Sequence, residues 1–172
     1  MRRFALVAVV AGCAAMPLAA QSRGLPVDSV FDRLIGQWVL TGAISGRQTT
    51  HDVAFQWMIG REYVQMHEVS RERNPDGSPA YEAVVMFARD PHSGEYAIMW
   101  MDNTGTSAFD PAGIGRGYVA GDSIPFFFRY TATTSFHNTF VYDRTTDTWR
   151  WHMDNDSAGV RRPFARLSLA RR

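Results

Sequence analysis

The sequence has no lysine and a single cysteine, and both scarcities limit what the protein can be. All eighteen basic residues are arginine, which is typical of a GC-rich genome and needs no recognition function to explain it. Because Cys13 has no second cysteine to pair with, an intrachain disulfide is excluded. Metal sites built on paired thiolates are excluded for the same reason.

An excess of charge of one sign is also missing. The formal net charge is +1, and loss of Arg2 and Arg3 with a leader would bring it to −1. Nucleic-acid-binding proteins need a basic face that neutralises phosphates. The sequence therefore predicts no nucleic-acid partner.

The sequence motifs of the common enzyme and metal sites are missing as well. There is no Gly-x-Ser-x-Gly elbow, no phosphate-cradling glycine loop and no His-Glu-x-x-His pair. We therefore predict no catalytic residues, no metal site and no cofactor. One weak enzymatic alternative remains, in which His67 and Asp102 touch across strands and form a general-base pair.

Residues 1–20 have the three-part pattern of a secretory signal peptide. Arg2 and Arg3 form the basic start, residues 4–15 the apolar stretch and residues 17–20 the small-residue exit. The apolar stretch is shorter than the roughly 20 residues that span a bilayer. We expect cleavage after Ala20, which leaves residues 21–172 as one domain in the periplasm or outside the cell.

A different processing point is also consistent with the leader. Val10-Ala11-Gly12-Cys13 resembles a bacterial lipobox, in which the cysteine is lipidated and becomes the new N-terminus. In that alternative the protein is an envelope lipoprotein, and Cys13 is its only link to the membrane.

The mature chain reads as one short helix followed by strands. Residues 26–34 predict the helix, with Asp28 as its cap and Gly36 at its end. No useful helical period follows residue 35. Strands separated by turns every 8–12 residues indicate a sandwich or a barrel. They are predicted at 37–44, 49–59, 62–70, 80–89, 95–102, 116–120, 124–131, 135–142, 148–155 and 160–170, with residues 109–115 poorly defined.

Charged positions predict which face of each strand looks outward, because side chains alternate along a strand. In the third strand, Glu62 and Glu68 set the outer face, which sends Tyr63, Gln65 and His67 inward. The same rule makes the interior of the other strands strongly aromatic. It comprises Val53, Phe55, Trp57, Tyr81, Ala83, Val85, Phe87, Tyr96, Ile98, Trp100, Asp102, Phe126, Phe128, Tyr130, Phe136, Asn138, Phe140, Trp149, Trp151 and Met153.

The start and the end of the chain resemble the lipocalin-like barrels. A short helix running into Gly36-Gln37-Trp38 is similar to the lipocalin Gly-x-Trp signature. The resemblance implies that Trp38 closes the barrel floor and that an arginine of the last strand, here Arg171, lies across it. The segment from Arg89-Asp90-Pro91 to Trp100-Met101-Asp102-Asn103 is similar to a bacterial lipocalin-like (calycin-type) family of unknown function. The resemblance favours an all-β, antiparallel up-and-down barrel of about 8–10 strands.

Polar side chains on the predicted inner face suggest a binding site. Small-molecule sites combine an apolar wall with a few polar anchors. We therefore predict a small apolar or amphipathic ligand held by Trp57, Tyr63, Gln65, His67, Trp100, Asp102, Asn138 and Trp151. The alternative is that these polar groups bond to one another in a filled barrel.

A filled barrel would act through its outer surface. Met99, Met101 and Ala97 face outward in the predicted register, as do Val64, Met66, Val84 and Met86 on neighbouring strands. Such a patch usually marks a contact site. This alternative predicts a protein-interaction module in which the N-terminal helix or a second copy of the chain covers the patch.

Overall fold

The computed structural model of the protein describes residues 29–105 and 109–172. The predicted leader, Cys13 and the first residues of the predicted helix lie outside these ranges. The described chain begins with helix α1 (Ser29–Leu34). The strands that follow are β1 (Gly36–Ile44), β2 (Arg47–Met58), β3 (Tyr63–Ser70), β4 (Glu82–Arg89), β5 (Tyr96–Asp102), β6 (Ile114–Gly117), β7 (Ser123–Arg129), β8 (Thr134–Asp143), β9 (Thr148–Ser157) and β10 (Val160–Arg171).

These strands form one closed antiparallel barrel. Each strand pairs with the next along the chain, and β1 pairs with β10 to close the sheet. The closing register runs from Trp38 opposite Arg171 to Ile44 opposite Ala165. The predicted all-β, antiparallel up-and-down barrel is therefore confirmed, and the described chain contributes ten strands.

The shortest strand, β6, lies where the sequence pattern is poorest. We predicted a strand at 116–120, but β6 covers Ile114–Gly117 and a 3-10 turn at Pro111–Gly113 precedes it. Its pairing with β7 is limited to Arg116 opposite Phe127. A Cβ on Gly117 would lie 1.7 Å from the carbonyl oxygen of Pro125, so only glycine lets the two strands approach. The glycines that weaken the strand pattern are thus the residues that allow closure.

Alternation fills the barrel with large apolar side chains, as expected for most strands. Each such side chain contributes roughly 1.5–3 kcal/mol relative to exposure. The inward residues that are buried in this way include Val53, Phe55, Val85, Phe87, Ile98, Phe126, Phe128, Phe140, Trp149 and Trp151. The aromatic rings meet mainly edge to face, as with Phe87 on Phe126 and on Phe140, both at 5.9 Å between centroids.

Strand β3 is the exception, because the predicted face of this strand is wrong. Val64 and Met66 point inward and are fully buried, whereas Tyr63 is 40% exposed. Glu68, which we used to define the outer face, is only 2% exposed. An inward carboxyl group is tolerated here because His51 of β2 lies against it. The rule that charged residues mark the outer face therefore fails for β3, because it does not allow for a carboxyl group buried beside a polar partner.

One end of the barrel is closed by α1 and by Trp38. Phe31 packs edge to face on Phe87 and Tyr96, and Leu34 is fully buried. The indole of Trp38 is also fully buried and donates a hydrogen bond to the carbonyl of Leu34 at 2.6 Å. This half of the barrel is consequently a packed core. No helix among the described residues is long and apolar enough to cross a membrane.

Arg171 lies across the closed end. Its guanidinium carbon is 3.8 Å from the centroid of the Trp38 ring. Its amino groups donate to the carbonyls of Ile35 at 2.6 Å and Arg33 at 3.0 Å. A Cβ on Gly36, whose φ is +130°, would lie 2.6 Å from Nη1 of Arg171, so glycine makes room for the arginine.

Candidate binding cavity

A cavity of about 920 Å³ opens at the end of the barrel opposite Trp38. Its lining comes from the ends of strands that lie farthest from the plug, such as Ile44 at the end of β1 and Phe136 at the start of β8. The volume falls within the roughly 300–1,000 Å³ of ordinary small-molecule sites. The barrel is thus divided into a packed half and a hollow half.

Three of the predicted ligand-binding residues line this cavity: Trp100, Asp102 and Asn138. Trp151 lies directly behind them. It is fully buried, stacks on Phe140 at 4.5 Å and donates a hydrogen bond to Oδ1 of Asn138. The indoles of Trp100 and Trp151 are 5.6 Å apart. The structure therefore brings these four residues together on one side of the barrel.

The other four predicted residues do not line the cavity. Trp57 lies at the closed end, where its indole donates to Asp32 at 3.0 Å. Tyr63, Gln65 and His67 lie on the outer face of β3, because its register is the reverse of the predicted one. Gln65 accepts a hydrogen bond from Gln56 there.

The predicted His67–Asp102 pair does not form. His67 is outside the barrel, 2.7 Å from Oε1 of Glu82, whereas Asp102 lines the cavity. The enzymatic alternative built on this pair is therefore wrong. The outer apolar patch is also smaller than predicted, because Val64 and Met66 point inward. Helix α1 does not cover this patch, since it packs at the closed end of the barrel.

Sequence reasoning missed a buried histidine and carboxyl group in the cavity wall. His51 and Glu68 are both 2% exposed, and Nδ1 of His51 makes a short hydrogen bond with Oε1 of Glu68. Burial raises the pKa of Glu68, against the opposing effect of His51. The signal in the sequence was His51 itself. It lies two residues before Val53 and therefore on the same inward face of β2, where it can pair with a polar group on β3.

Thr49 extends this pair toward the mouth of the cavity. Its hydroxyl donates to Oε2 of Glu72 at 3.1 Å and lies 2.7 Å from Nε2 of His51. Desolvation opposes ionisation of Glu72, but hydrogen bonds from its own backbone and from Thr49 outweigh it and lower its pKa. Because an ionised Glu72 can only accept, the single hydroxyl proton of Thr49 points to it. In this arrangement the Thr49 oxygen is an acceptor for Nε2 of His51 in the tautomer that carries a hydrogen on Nε2.

Tyr81 connects the histidine to a second carboxyl group. Its ring stacks on the ring of His51 at 5.6 Å, and its hydroxyl lies 3.4 Å from Oδ2 of Asp102. The indole of Trp100 donates to this hydroxyl at 3.0 Å and to Oδ2 at 3.2 Å. Burial, reinforced by the charges of Glu68 and Asp102, raises the pKa of Tyr81, so its hydroxyl stays protonated. The wall thus combines aromatic surface with an ordered set of polar groups.

A metal centre is not evident in this wall. Within residues 29–105 and 109–172, no three or more His, Cys, Asp or Glu side chains are grouped so that they could hold an ion. The chemistry the cavity offers is aromatic contact and hydrogen bonding.

Comparison with known proteins supports the fold. No protein-family model matches the chain, and no curated protein matches it. Among solved structures, the barrel is similar to the crystal structure of Rv2717c from M. tuberculosis, with a TM-score of 0.55 and 17% sequence identity. The similarity covers 81% of this chain and 93% of the other. At this identity the likeness supports the barrel fold alone.

Proposed function

We propose that the protein is a binding protein for a small apolar or amphipathic molecule, which it holds in the open half of the barrel. The observation that carries this proposal is the cavity of about 920 Å³. Its wall has the usual composition of a small-molecule site, with aromatic side chains such as Trp100 and Phe136 around a few converging polar groups. The packed half supports the site, because Trp38 and α1 close the end of the barrel opposite the cavity.

We also propose that the barrel is lipocalin-like and exported. Gly36-Gln37-Trp38 after a short helix, with Arg171 stacked on Trp38, supports the lipocalin-like assignment. The pattern of residues 1–20 supports export, with cleavage after Ala20 or lipidation of Cys13 as the two processing routes. The intact mass of the mature protein, purified from an envelope fraction, distinguishes the routes. An uncleaved cytoplasmic product would contradict export.

Binding is tested with Nile red, an uncharged dye whose fluorescence rises in apolar surroundings. We expect saturable binding at one site per chain. Replacement of Trp100 by leucine removes aromatic surface from the cavity wall and should weaken binding at least about fivefold. Tyr63→Leu is the matched control, because it removes an aromatic ring from the outer face of the same barrel.

The two variants separate the cavity from the surface. Equal loss of affinity in both, or no effect in either, would show that the dye binds elsewhere. Failure of the wild-type protein to bind Nile red up to the solubility limit of the dye would contradict the proposed function.

A further inference from the structure

One oxygen in the cavity wall has no hydrogen-bond donor in the protein. Among the described residues, Oε2 of Glu68 is the buried side-chain polar atom left without a partner. Glu68 lines the cavity, and its side chain is only 3% exposed. A buried polar atom without a partner is unfavourable, so a hydrogen-bond donor at this point would be bound favourably.

The geometry of the His51–Glu68 pair favours an accepting role for this oxygen, because the short contact with His51 is made by Oε1. In the tautomer in which Nε2 of His51 donates to Thr49, one further proton is shared between Nδ1 and Oε1 of Glu68. The pair is then neutral overall, whether the proton sits on the histidine or on the carboxyl group. In both arrangements Oε2 has free lone pairs and no hydrogen.

A second carboxyl group lies on the same hydrogen-bonded row of the sheet. Glu68 is opposite Ala83 on β4, and Ala83 is opposite Asp102 on β5, so both carboxyl groups point into the barrel from one row. Both carboxyl groups line the cavity, and Tyr81 lies between them, stacked on His51 and within reach of Asp102. Two strand spacings of about 4.8 Å separate the backbones of Glu68 and Asp102 by roughly 10 Å.

The rest of the wall is better suited to a cation than to an anion. Of the described residues lining the cavity, Arg47 is the one arginine, and it is exposed at the mouth. Asp102 is held by Trp100, by the backbone and hydroxyl of Thr104 and by Tyr81, with no cationic partner among those contacts. Faces of aromatic rings also attract cations.

We propose, building on the binding function above, that the ligand is an organic amine. Its ammonium group donates to Oε2 of Glu68 beside Asp102, and its apolar body lies against Trp100, Phe128 and Phe136. The charges balance, since one ammonium neutralises Asp102 while the His51–Glu68 pair stays neutral. A carboxylate or phosphate head group would instead face two carboxyl groups without a donor.

Three indoles that differ only in the head group test this inference by isothermal titration calorimetry. Tryptamine is cationic, 3-ethylindole is neutral and indole-3-propionate is anionic. We expect tryptamine to bind at least about tenfold more tightly than indole-3-propionate. Glu68→Gln should remove most of this preference and leave the affinity for 3-ethylindole within about twofold. Glu82→Gln, on the outer face beside His67, is the matched control and should change nothing.

The outcomes separate the inference from the proposed function. If Nile red binds but tryptamine binds no better than the anion, or does not bind, the amine inference is overturned and the cavity function stands. If neither Nile red nor any indole binds, the proposed function fails and the inference fails with it. If circular dichroism shows that Glu68→Gln does not fold, the preference measured on the wild-type protein decides.

Discussion

Replacement of Arg171 by alanine tests the closed end of the barrel. The side chain stacks on the buried ring of Trp38 at 3.8 Å, a contact that contributes roughly 0.5–2 kcal/mol. It also donates to the carbonyls of Arg33 and Ile35. Carbonyl groups at the C-terminal end of a helix have no hydrogen-bond partner within the helix. Because the arginine side chain is 39% exposed, each of these bonds is worth about 0.5–1.5 kcal/mol instead of the full charged value. We expect a loss of about 2–4 kcal/mol in the free energy of unfolding.

The neighbouring arginine provides the control. Arg172 has a side chain that is 62% exposed and lies 3.8 Å from Asp52, so Arg172→Ala should cost less than about 0.5 kcal/mol. Urea denaturation followed by tryptophan fluorescence and circular dichroism measures both variants, with the slope against urea expected to stay unchanged. Arg171→Lys should recover less than half of the loss, since lysine cannot reach both carbonyls with a planar fork. Equal stability of the two alanine variants would refute the proposed role of Arg171.

Three further outcomes follow from the structure. Burial raises the pKa of Glu68, so the folded protein keeps a proton that the unfolded chain releases. The free energy of unfolding of the wild type, relative to that of Glu68→Gln, should therefore fall as pH rises above about 4.5. Urea titrations between pH 4.5 and 8 measure the slope, at most about 1.4 kcal/mol per pH unit; a flat or rising difference contradicts it. Gly117→Ala should cost more than about 2 kcal/mol, because its Cβ would meet the carbonyl of Pro125, whereas Gly105→Ala has no contact below 3.6 Å and should be nearly neutral by the same assay. His67→Gln, on the outer face, should leave Nile red affinity unchanged, and any large loss would place the dye outside the cavity.

Most of the barrel could be predicted from the sequence because most strands have one clearly polar face. In β9, Arg150 and Asp154 face away from Trp149 and Trp151, and alternation decides the register without further information. The Trp38 and Arg171 contact was expected from the resemblance to lipocalin-like barrels. For β9 the pattern of one strand is enough to determine the register. For the closed end, the short motifs around Trp38 and Arg171 are enough to determine the contact.

Strand β3 could not be assigned in this way because both of its faces are mixed. Val64 and Met66 share the inner face with Glu68, while Tyr63 and Gln65 share the outer face with other polar and apolar residues. Hydrophobic alternation therefore favours neither register strongly. The inward face of β3 becomes clear only when β2 and β3 are paired. His51 then lies opposite Ser70, which is two residues from Glu68 on the same face.

The cavity itself could not be predicted because it depends on how the strands are filled at each level. Along β2, Phe55 and Val53 belong to the packed core, His51 lies in the cavity wall and Thr49 lies toward its mouth. Along β9, Trp149 and Trp151 are packed, whereas Met153 lines the cavity. The packed half and the cavity thus show the same alternation of inward and outward residues. The alternation in the sequence therefore cannot distinguish a packed part of the barrel from a hollow one.

The boundary between the packed half and the cavity runs obliquely across the strands. From Trp38 to Ile44, β1 rises roughly 20 Å, so the plug and the mouth are separated by most of the barrel height. Trp38 and Val53 of the packed half lie on the same hydrogen-bonded row as Glu68, Ala83 and Asp102, so this row passes from the plug into the cavity wall. A row of this composition would be unfavourable in a packed core, since its acceptor would stay buried without a donor. The polar end of this row in the cavity wall is what we expect if the barrel keeps that side open for a ligand.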